Sequence, residues 1–263
     1  MDSLPAIDIK NATINLDGNE ILHDLSWRVE RGEHWFILGP NGAGKTTLVK
    51  LMLGLIWPLY GAEISVLGNV YGNCVLSEVR KHIAWVSPFL KDWTDARWTV
   101  LDVALSGLDS TIGFYRTPKK GEVEKAMAAL DMMGSAHLSA RSFDRVSSGE
   151  QVKALVARAL IANPELAILD EACVYLDLGS REILLAALDK LAKKRGAPTI
   201  LFVTQRIEEI SKTFEKGMIL GSGRIVKQGP RDEILTEANI QEAFKLKVSL
   251  RPSPDGRLWP SLA

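Results

Sequence analysis

Trp35-Phe36-Ile37-Leu38-Gly39-Pro40-Asn41-Gly42-Ala43-Gly44-Lys45-Thr46-Thr47 is the stretch on which the reading of the whole chain turns. Four consecutive apolar residues predict a strand buried on both faces, as in a parallel sheet covered by helices. It runs directly into the glycine-rich segment Gly39 to Gly44. Behind that segment Leu48, Val49, Leu51, Met52 and Leu55 recur at helical spacing, so Thr46 to Leu55 reads as a helix ended by Gly54 and Pro58. Strand, glycine loop and helix in this order fit the phosphate-cradling pattern G-x-x-x-x-G-K-[ST]. Each position has a physical task. The loop Gly39, Pro40, Asn41, Gly42, Ala43, Gly44 lets backbone N–H groups turn inward toward phosphates, and the following helix aims its N-terminal dipole at them. Lys45 neutralises the phosphate charge, Thr46 offers a hydroxyl to Mg²⁺, and Thr47 adjoins it. A plain glycine turn would require neither the strand nor the helix that flank this one.

Leu166-Ala167-Ile168-Leu169 is a second buried strand, and it ends in Asp170-Glu171. Two carboxylates at a strand end, taken alone, fit the start of any solvated loop. Beside a phosphate loop they acquire roles: Asp170 holds Mg²⁺ through water, and Glu171 polarises the attacking water.

Along the rest of the chain strand-like runs alternate with helical patterns, which argues for a mostly parallel sheet covered by helices. Ile7 to Leu16 and Trp27 to Val29 read as an antiparallel lead-in broken by the turn Asp17-Gly18-Asn19. Between Phe89 and Ala140 the strand signal disappears and helical patterning takes over, notably at Val100 to Leu108 and Glu122 to Met133. Gln151 to Ala162 is a helix stopped at Asn163-Pro164, and Ser180 to Lys194 is another. Thr199 to Thr204 is a third buried strand. Met218 to Leu220 and Arg224 to Val226 form a hairpin around Gly221-Ser222-Gly223, followed by a short helical tail to Leu246.

The composition bounds the alternatives. At 263 residues the chain can bury a sizeable core without disulfides or metals. Its 32 Lys and Arg balance 32 Asp and Glu, which removes the electrostatic footprint of a dedicated nucleic-acid binder. Cys74 and Cys173, far apart and without His or Cys at metal spacing, read as reduced thiols. Met1 to Lys10 carries Asp2 and Asp8 and no apolar run of signal-sequence length, and no uncharged stretch reaches the ~18 residues of a membrane span. The expected location is the cytoplasm, with peripheral attachment to the cytoplasmic face of the inner membrane where a membrane partner recruits the chain.

Val146-Ser147-Ser148-Gly149-Glu150, followed by the helix that contains Arg158 and placed directly before the Asp170-Glu171 strand, resembles the signature usually written LSGGQ in the ATP-binding-cassette ATPases. With the phosphate loop and the carboxylate strand, this resemblance covers nearly the whole chain. It implies an α/β P-loop NTPase fold with a mostly parallel sheet, an N-terminal antiparallel β lead-in and an inserted helical subdomain. It implies a single domain over residues 1–263, with a catalytic core of about 1–86 and 164–263 and a helical subdomain of about 87–163. The cofactors implied are ATP and Mg²⁺. In the signature, Ser147, Ser148, Gly149 and Glu150 would supply a hydroxyl and backbone amides at a helix N-terminus for a γ-phosphate. Ala172 to Asp177 resembles the segment that puts Asp177 at a dimer junction. Because the signature must reach a γ-phosphate across an interface, two chains, either two copies or a second related subunit, would sandwich two ATP molecules head to tail. The implied partners are integral membrane transporter subunits. The alternative is a non-transport switch acting on ribosomes or nucleic acid, but relatives of that kind fuse two cassettes or carry long charged arms, which this chain lacks.

Gly32-Glu33-His34-Trp35, Trp98-Thr99-Val100 to Ser106-Gly107, and Ile112-Gly113-Phe114-Tyr115 are similar to a bacterial branch that includes molybdate-transport-associated and photorepair-type members. Three family residues are replaced. The Gln expected after Ile83 to Val86 is Ser87; the His expected after Ile200 to Thr204 is Gln205; the adenine-stacking aromatic aligns with Leu16. Gln205 can donate a hydrogen bond but cannot carry a charge or shuttle a proton, so hydrolysis is expected to persist and to be slow. Trp93 and Trp98 lie where family members dock their membrane partner, and they serve either as anchors or as packing for the helical lobe. His23, His34, His82 and His137 are scattered and read as ordinary surface or core residues.

Overall fold

A computed structural model describes residues 4–95, 97–109 and 113–262, and the side chains of Lys91, Asp92 and Trp93 are outside the description, as is Ile112. In chain order the first half contains β1 (Ile7–Leu16), β2 (Asn19–Val29), β3 (His34–Leu38), α1 (Lys45–Met52), β4 (Glu63–Val66), β5 (Asn69–Val70), α2 (Leu76–Arg80), β6 (Ile83–Val86), α3 (Val100–Leu105) and α4 (Glu122–Met132). The second half contains α5 (Ser148–Ile161), β7 (Leu166–Asp170), α6 (Leu178–Ala192), β8 (Thr199–Thr204), β9 (Lys216–Gly221) and β10 (Arg224–Pro230). Then come α7 (Arg231–Ile234), α8 (Glu237–Phe244), β11 (Val248–Pro252) and β12 (Leu258–Leu262). Two compact units are distinguished, Met1–Val79 with Thr199–Ala263, and Arg80–Pro198.

In the first unit, β1 and β2 form the antiparallel lead-in expected from sequence, but β2 begins at Asn19, eight residues before the expected Trp27, because it pairs with β1 from Leu16 opposite Asn19 to Ile7 opposite Val29. The turn residues Asp17 and Gly18 both take positive φ, 52° and 82°, as the right-handed twist of the flanking strands favours. Two short strands extend this lead-in, giving the order β2-β1-β4-β5, with Ile7 opposite Val66. Their four and two residues are too few to carry a readable period, so neither strand is legible from the residues alone. A second sheet is built on β3, which pairs in parallel with β8 on one side and β9 on the other; β10 returns antiparallel on β9. All six residues of β8 are buried, as are Trp35 to Leu38 of β3. Phe202 stacks on Phe214 at 5.2 Å between centroids. The helical tail is α7 and α8, and beyond it lies the hairpin β11–β12, with Val248 opposite Leu262. Pro252, Pro254 and Pro260 mask that hairpin in the sequence, because proline removes ladder donors and demotes a strand pattern.

In the second unit, β6 and β7 run parallel, Val86 opposite Leu169. Between Pro88 and Arg145 the described residues form α3, α4 and 3₁₀ turns, with one isolated bridge from Thr99 to Ser142. α3 opens with a capping box between Thr99 and Asp102, and α5 buries Val152, Leu155, Val156 and Ala159 on one stripe. α3 ends at Leu105, three residues before the expected end, and the chain tightens into a 3₁₀ turn over Ser106–Asp109. Close packing accounts for this: a Cβ on Gly107 would lie 2.0 Å from the Arg158 carbonyl oxygen of α5. α6 begins at Leu178 because Asp177 caps it, two residues earlier than its sequence pattern indicated.

Candidate nucleotide site

The phosphate loop leaves the buried end of β3 and enters α1. Two of its glycines take backbone conformations that side chains resist, Gly42 at φ 77° and Gly44 at φ 98°, the latter at the helix N-cap. Gly39 is required for a different reason. A Cβ there would stand 2.5 Å from the carbonyl oxygen of Leu220 on β9, so only glycine lets the loop start so close to that strand. Lys45 is 4% exposed, and its ammonium donates to the carbonyls of Gly39 at 2.8 Å and Pro40 at 2.9 Å. The cation is thereby fixed inside the loop, while Asn41, Gly42 and Thr46 are exposed and Thr47 is half-buried. A helix N-terminus, glycine-shaped backbone and a held cation together make an anion seat.

Register brings a second predicted residue to this loop. Leu38 is opposite Thr204 in the parallel pair β3–β8, so Gly39 and Gln205 emerge side by side from neighbouring strand ends. Ligands of open α/β sheets sit at such carboxyl ends. Leu16, at the end of β1, is 38% exposed, a half-open apolar surface rather than a ring.

The second unit gathers the remaining predicted residues. Val86 pairs with Leu169, so Ser87 and Asp170 leave adjacent parallel strands together. Asp170 is 2% exposed, and Glu171 follows it at φ 54°, a left-handed conformation for a non-glycine residue of the kind that clusters at functional sites. Ser87 is buried, and its hydroxyl accepts from the Phe89 N–H at 3.4 Å, so its short side chain is engaged in the turn.

The signature opens α5. Ser147 is the N-cap, and its hydroxyl accepts from the Glu150 N–H at 3.3 Å. Glu150 answers with one carboxylate oxygen, which receives the Ser147 N–H at 2.7 Å and the Ser147 O–H at 2.8 Å. These bonds hold the Glu150 carboxyl below the usual carboxylate range, the backbone donor contributing most. Gly149 lies against the segment that leads to Asp177: a Cβ on it would be 3.3 Å from the Tyr175 carbonyl oxygen. Asp177 caps α6, accepting from the Ser180 N–H at 2.8 Å and the Ser180 hydroxyl at 3.0 Å. Its carboxyl is lowered first by that backbone donor. Signature and capping aspartate are thus neighbours within one unit.

The other sequence features resolve simply. His23 pairs with Glu20 at 2.8 Å and His82 with Glu165 at 3.0 Å. Trp98 is half-buried and meets Tyr115 edge-on at 5.7 Å, so it packs the helical segment. The Trp93 side chain falls outside the described residues.

The donor set can be tested against Mg²⁺. Among the described residues no group of three His, Cys, Asp or Glu could hold a metal ion. Mg²⁺ rarely uses an all-protein cage; it takes one or two carboxylates, hydroxyls, water and substrate phosphate oxygens. The Thr46 hydroxyl and the Asp170 carboxylate are donors of that hard kind. No helix among the described residues is long and apolar enough to cross a membrane.

Strand, phosphate loop, signature helix and carboxylate strand define a P-loop ATP-binding cassette. A protein-family model described as ABC transporter matches residues 22–174. The ABC transporter ATP-binding protein YlmA of Bacillus subtilis (strain 168), which is uncharacterized, is 38% identical over 243 residues, covering 92% of this chain and 92% of its own length. The manganese transport system ATP-binding protein MntB of the same organism is 31% identical over 239 residues, covering 90% and 92%. Among solved structures, cbiO1 from Clostridium perfringens, part of the ABC transporter complex cbiONQ, shares the fold with a TM-score of 0.74 at 23% identity, covering 90% of this chain and 93% of that one. The chain belongs to the ABC transporter family, among its ATP-binding proteins.

Proposed function

We propose that this chain is the Mg-dependent ATP-hydrolysing subunit of an ABC transporter and works as a head-to-tail pair enclosing two ATP molecules. The observation that carries the reading is the register of β3 and β8, which sets the phosphate loop and Gln205 on adjacent strand ends. Gly39, Pro40, Asn41, Gly42, Ala43 and Gly44 wrap the phosphates with backbone groups; Lys45 neutralises their charge, and Thr47 adjoins the loop's N–H groups. Thr46 and Asp170 would hold Mg²⁺, which when bound would neutralise phosphate charge. Glu171 accepts the proton of the attacking water as the new P–O bond forms and the bond to ADP breaks. Gln205 donates a hydrogen bond to the γ-phosphate. Ser147, Ser148, Gly149 and Glu150 form the face that meets the partner chain's γ-phosphate, and Asp177 stands at the junction.

Turnover is slow on this reading, for Gln205 transfers no proton and Ser87 is too short to reach water and metal as a Gln would. Residues 87–163 form the helical lobe that passes the nucleotide state to integral membrane subunits. The full-length match to a transport-system ATP-binding protein supports a partner at the cytoplasmic face of a membrane. The balanced charge supports it against a switch on nucleic acid.

Glu171→Gln provides the test. The variant is expected to bind ATP, to lose hydrolysis by roughly a hundredfold or more, and to accumulate as an ATP-bound dimer in size-exclusion chromatography. Hydrolysis at the parental rate would remove Glu171 as the general base.

A further inference from the structure

Gln205 is flanked by two residues that are tied to one buried carboxylate. Glu209 is 2% exposed, and its Oε2 accepts the Thr204 hydroxyl proton at 2.6 Å. Its other oxygen, Oε1, lies 3.8 Å from Nη1 of Arg206. The Thr204 oxygen in turn accepts the Arg206 N–H at 3.0 Å, bridging the backbone across Gln205. Arg206 is extended, at φ −113° and ψ 119°, and the chain bends at Gln205, just past the end of β8. Thr204 and Arg206, on either side of that bend, both meet Glu209, so the bend that carries Gln205 is held from both ends. The adjoining residue is also held, because Arg257 of the C-terminal hairpin donates to the Glu208 carbonyl at 3.4 Å.

Burying a carboxylate is costly unless its oxygens are engaged. Here one oxygen holds the Thr204 hydroxyl and the other faces the Arg206 guanidinium, so the carboxylate engages both neighbours of Gln205. We propose that Glu209 is a positioning residue for Gln205: by anchoring Thr204 and Arg206 it fixes the direction in which the Gln205 amide leaves the strand end beside the phosphate loop. The inference rests on the reading that Gln205 meets the γ-phosphate. A polar group displaced by about an ångström from its transition-state position loses much of its effect while substrate still binds. Glu209 therefore governs kcat and leaves KM for ATP nearly untouched.

The test uses the full chain with Mg-ATP and compares Gln205→Ala, Glu209→Met, the double variant and Glu209→Gln. Glutamine at 209 retains an oxygen that can accept from Thr204; methionine of similar size does not. Gln205→Ala and Glu209→Met are each expected to lower kcat by about tenfold, with KM within about twofold. The double variant should be no slower than Gln205→Ala within about twofold, since a residue acting through Gln205 has nothing left to position. Glu209→Gln should stay within about threefold of the parent. Multiplying losses in the double variant, or Glu209→Gln as slow as Glu209→Met, would overturn the proposal. So would an unaltered kcat for Glu209→Met beside a slowed Gln205→Ala, and in that case the role of Gln205 stands. An unaltered kcat for Gln205→Ala removes that role and the proposal with it. Where Glu209→Met does not fold, judged by circular dichroism, Thr204→Val breaks the same bond from the strand side and enters the same comparison.

Discussion

The Glu150 carboxylate and the Ser147 main chain are joined at 2.7 Å, with the Ser147 hydroxyl on the same carboxylate oxygen at 2.8 Å. A negative side chain thus sits on the N-terminus of the signature helix, where the helix dipole favours it. Replacing it by alanine removes half of a capping box. Glu150→Ala should cost about 0.5–1 kcal/mol at neutral pH, at the low end for a cap because the group is partly exposed. The sign of the pH dependence follows from the lowered carboxyl. A depressed folded value means the stabilisation is present above the unfolded value of about 4.3 and is lost as pH falls through the folded one. The stability gap between parent and variant, read from urea midpoints, should be full at pH 7 and shrink below about pH 4. A gap that widens with acid would contradict the assignment.

Gln205→His is the complementary change at the strand end. Imidazole can carry charge and move a proton where the amide can only donate a hydrogen bond. On the proposed reading, steady-state kcat should rise by roughly tenfold or more, with KM for ATP little changed. An unchanged kcat would show that position 205 does not limit turnover.

The parts of the fold legible in the sequence are those whose signals are local. Trp35 to Leu38 is an unbroken apolar run and is buried throughout, and Thr199–Thr204 has the bounds its composition indicated. Lys45, Asp170 and the Ser147 cap were legible because each belongs to a motif within a few residues of a strand or helix end. What was not legible depends on distant partners. The four residues of β4 acquire their strand character from pairing with β1, some fifty residues earlier. Glu209 lies in the unremarkable run Arg206-Ile207-Glu208-Glu209, and only the 3₁₀ turn at Ile207–Glu209 folds it back onto Thr204. The adjacency of Gly39 and Gln205 is a register, and a single sequence does not state registers.

Packing within the second unit gives a prediction that does not involve nucleotide. A Cβ on Gly107 would meet the Arg158 carbonyl oxygen at 2.0 Å and the Ile161 side chain at 2.8 Å, and the first of these is backbone of a long helix. Arg158 is itself largely buried, with its guanidinium pushed down to about 10 by desolvation, and its Nε donates to the Ser106 hydroxyl at 3.1 Å. Neither neighbour can retreat without disturbing α5 or that bond. Gly107→Ala should destabilise the protein by about 1–3 kcal/mol through overpacking. The urea midpoint should fall while the denaturant slope is unchanged; a midpoint equal to the parent's would mean the two segments part more readily than the distances imply.

Two glycines of the phosphate loop separate steric need from backbone need. Gly42 has φ 77° but open space around a Cβ, so Gly42→Ala adds only conformational strain, about 1–2 kcal/mol. Gly39 has the opposite problem, since its Cβ would press on the Leu220 carbonyl at 2.5 Å, backbone of β9 that cannot yield. The strain in Gly39→Ala must be relieved by moving the loop, and the loop carries the Gly39 and Pro40 carbonyls that hold the Lys45 ammonium. The expected result is a tenfold or greater rise in Kd for ATP in Gly39→Ala, on the order of 1.4 kcal/mol or more. Gly42→Ala should change Kd less than it changes thermal stability. Titration calorimetry beside thermal melts of the two variants decides the matter, and equal losses of affinity would show that the contact with β9 does not set the position of Lys45.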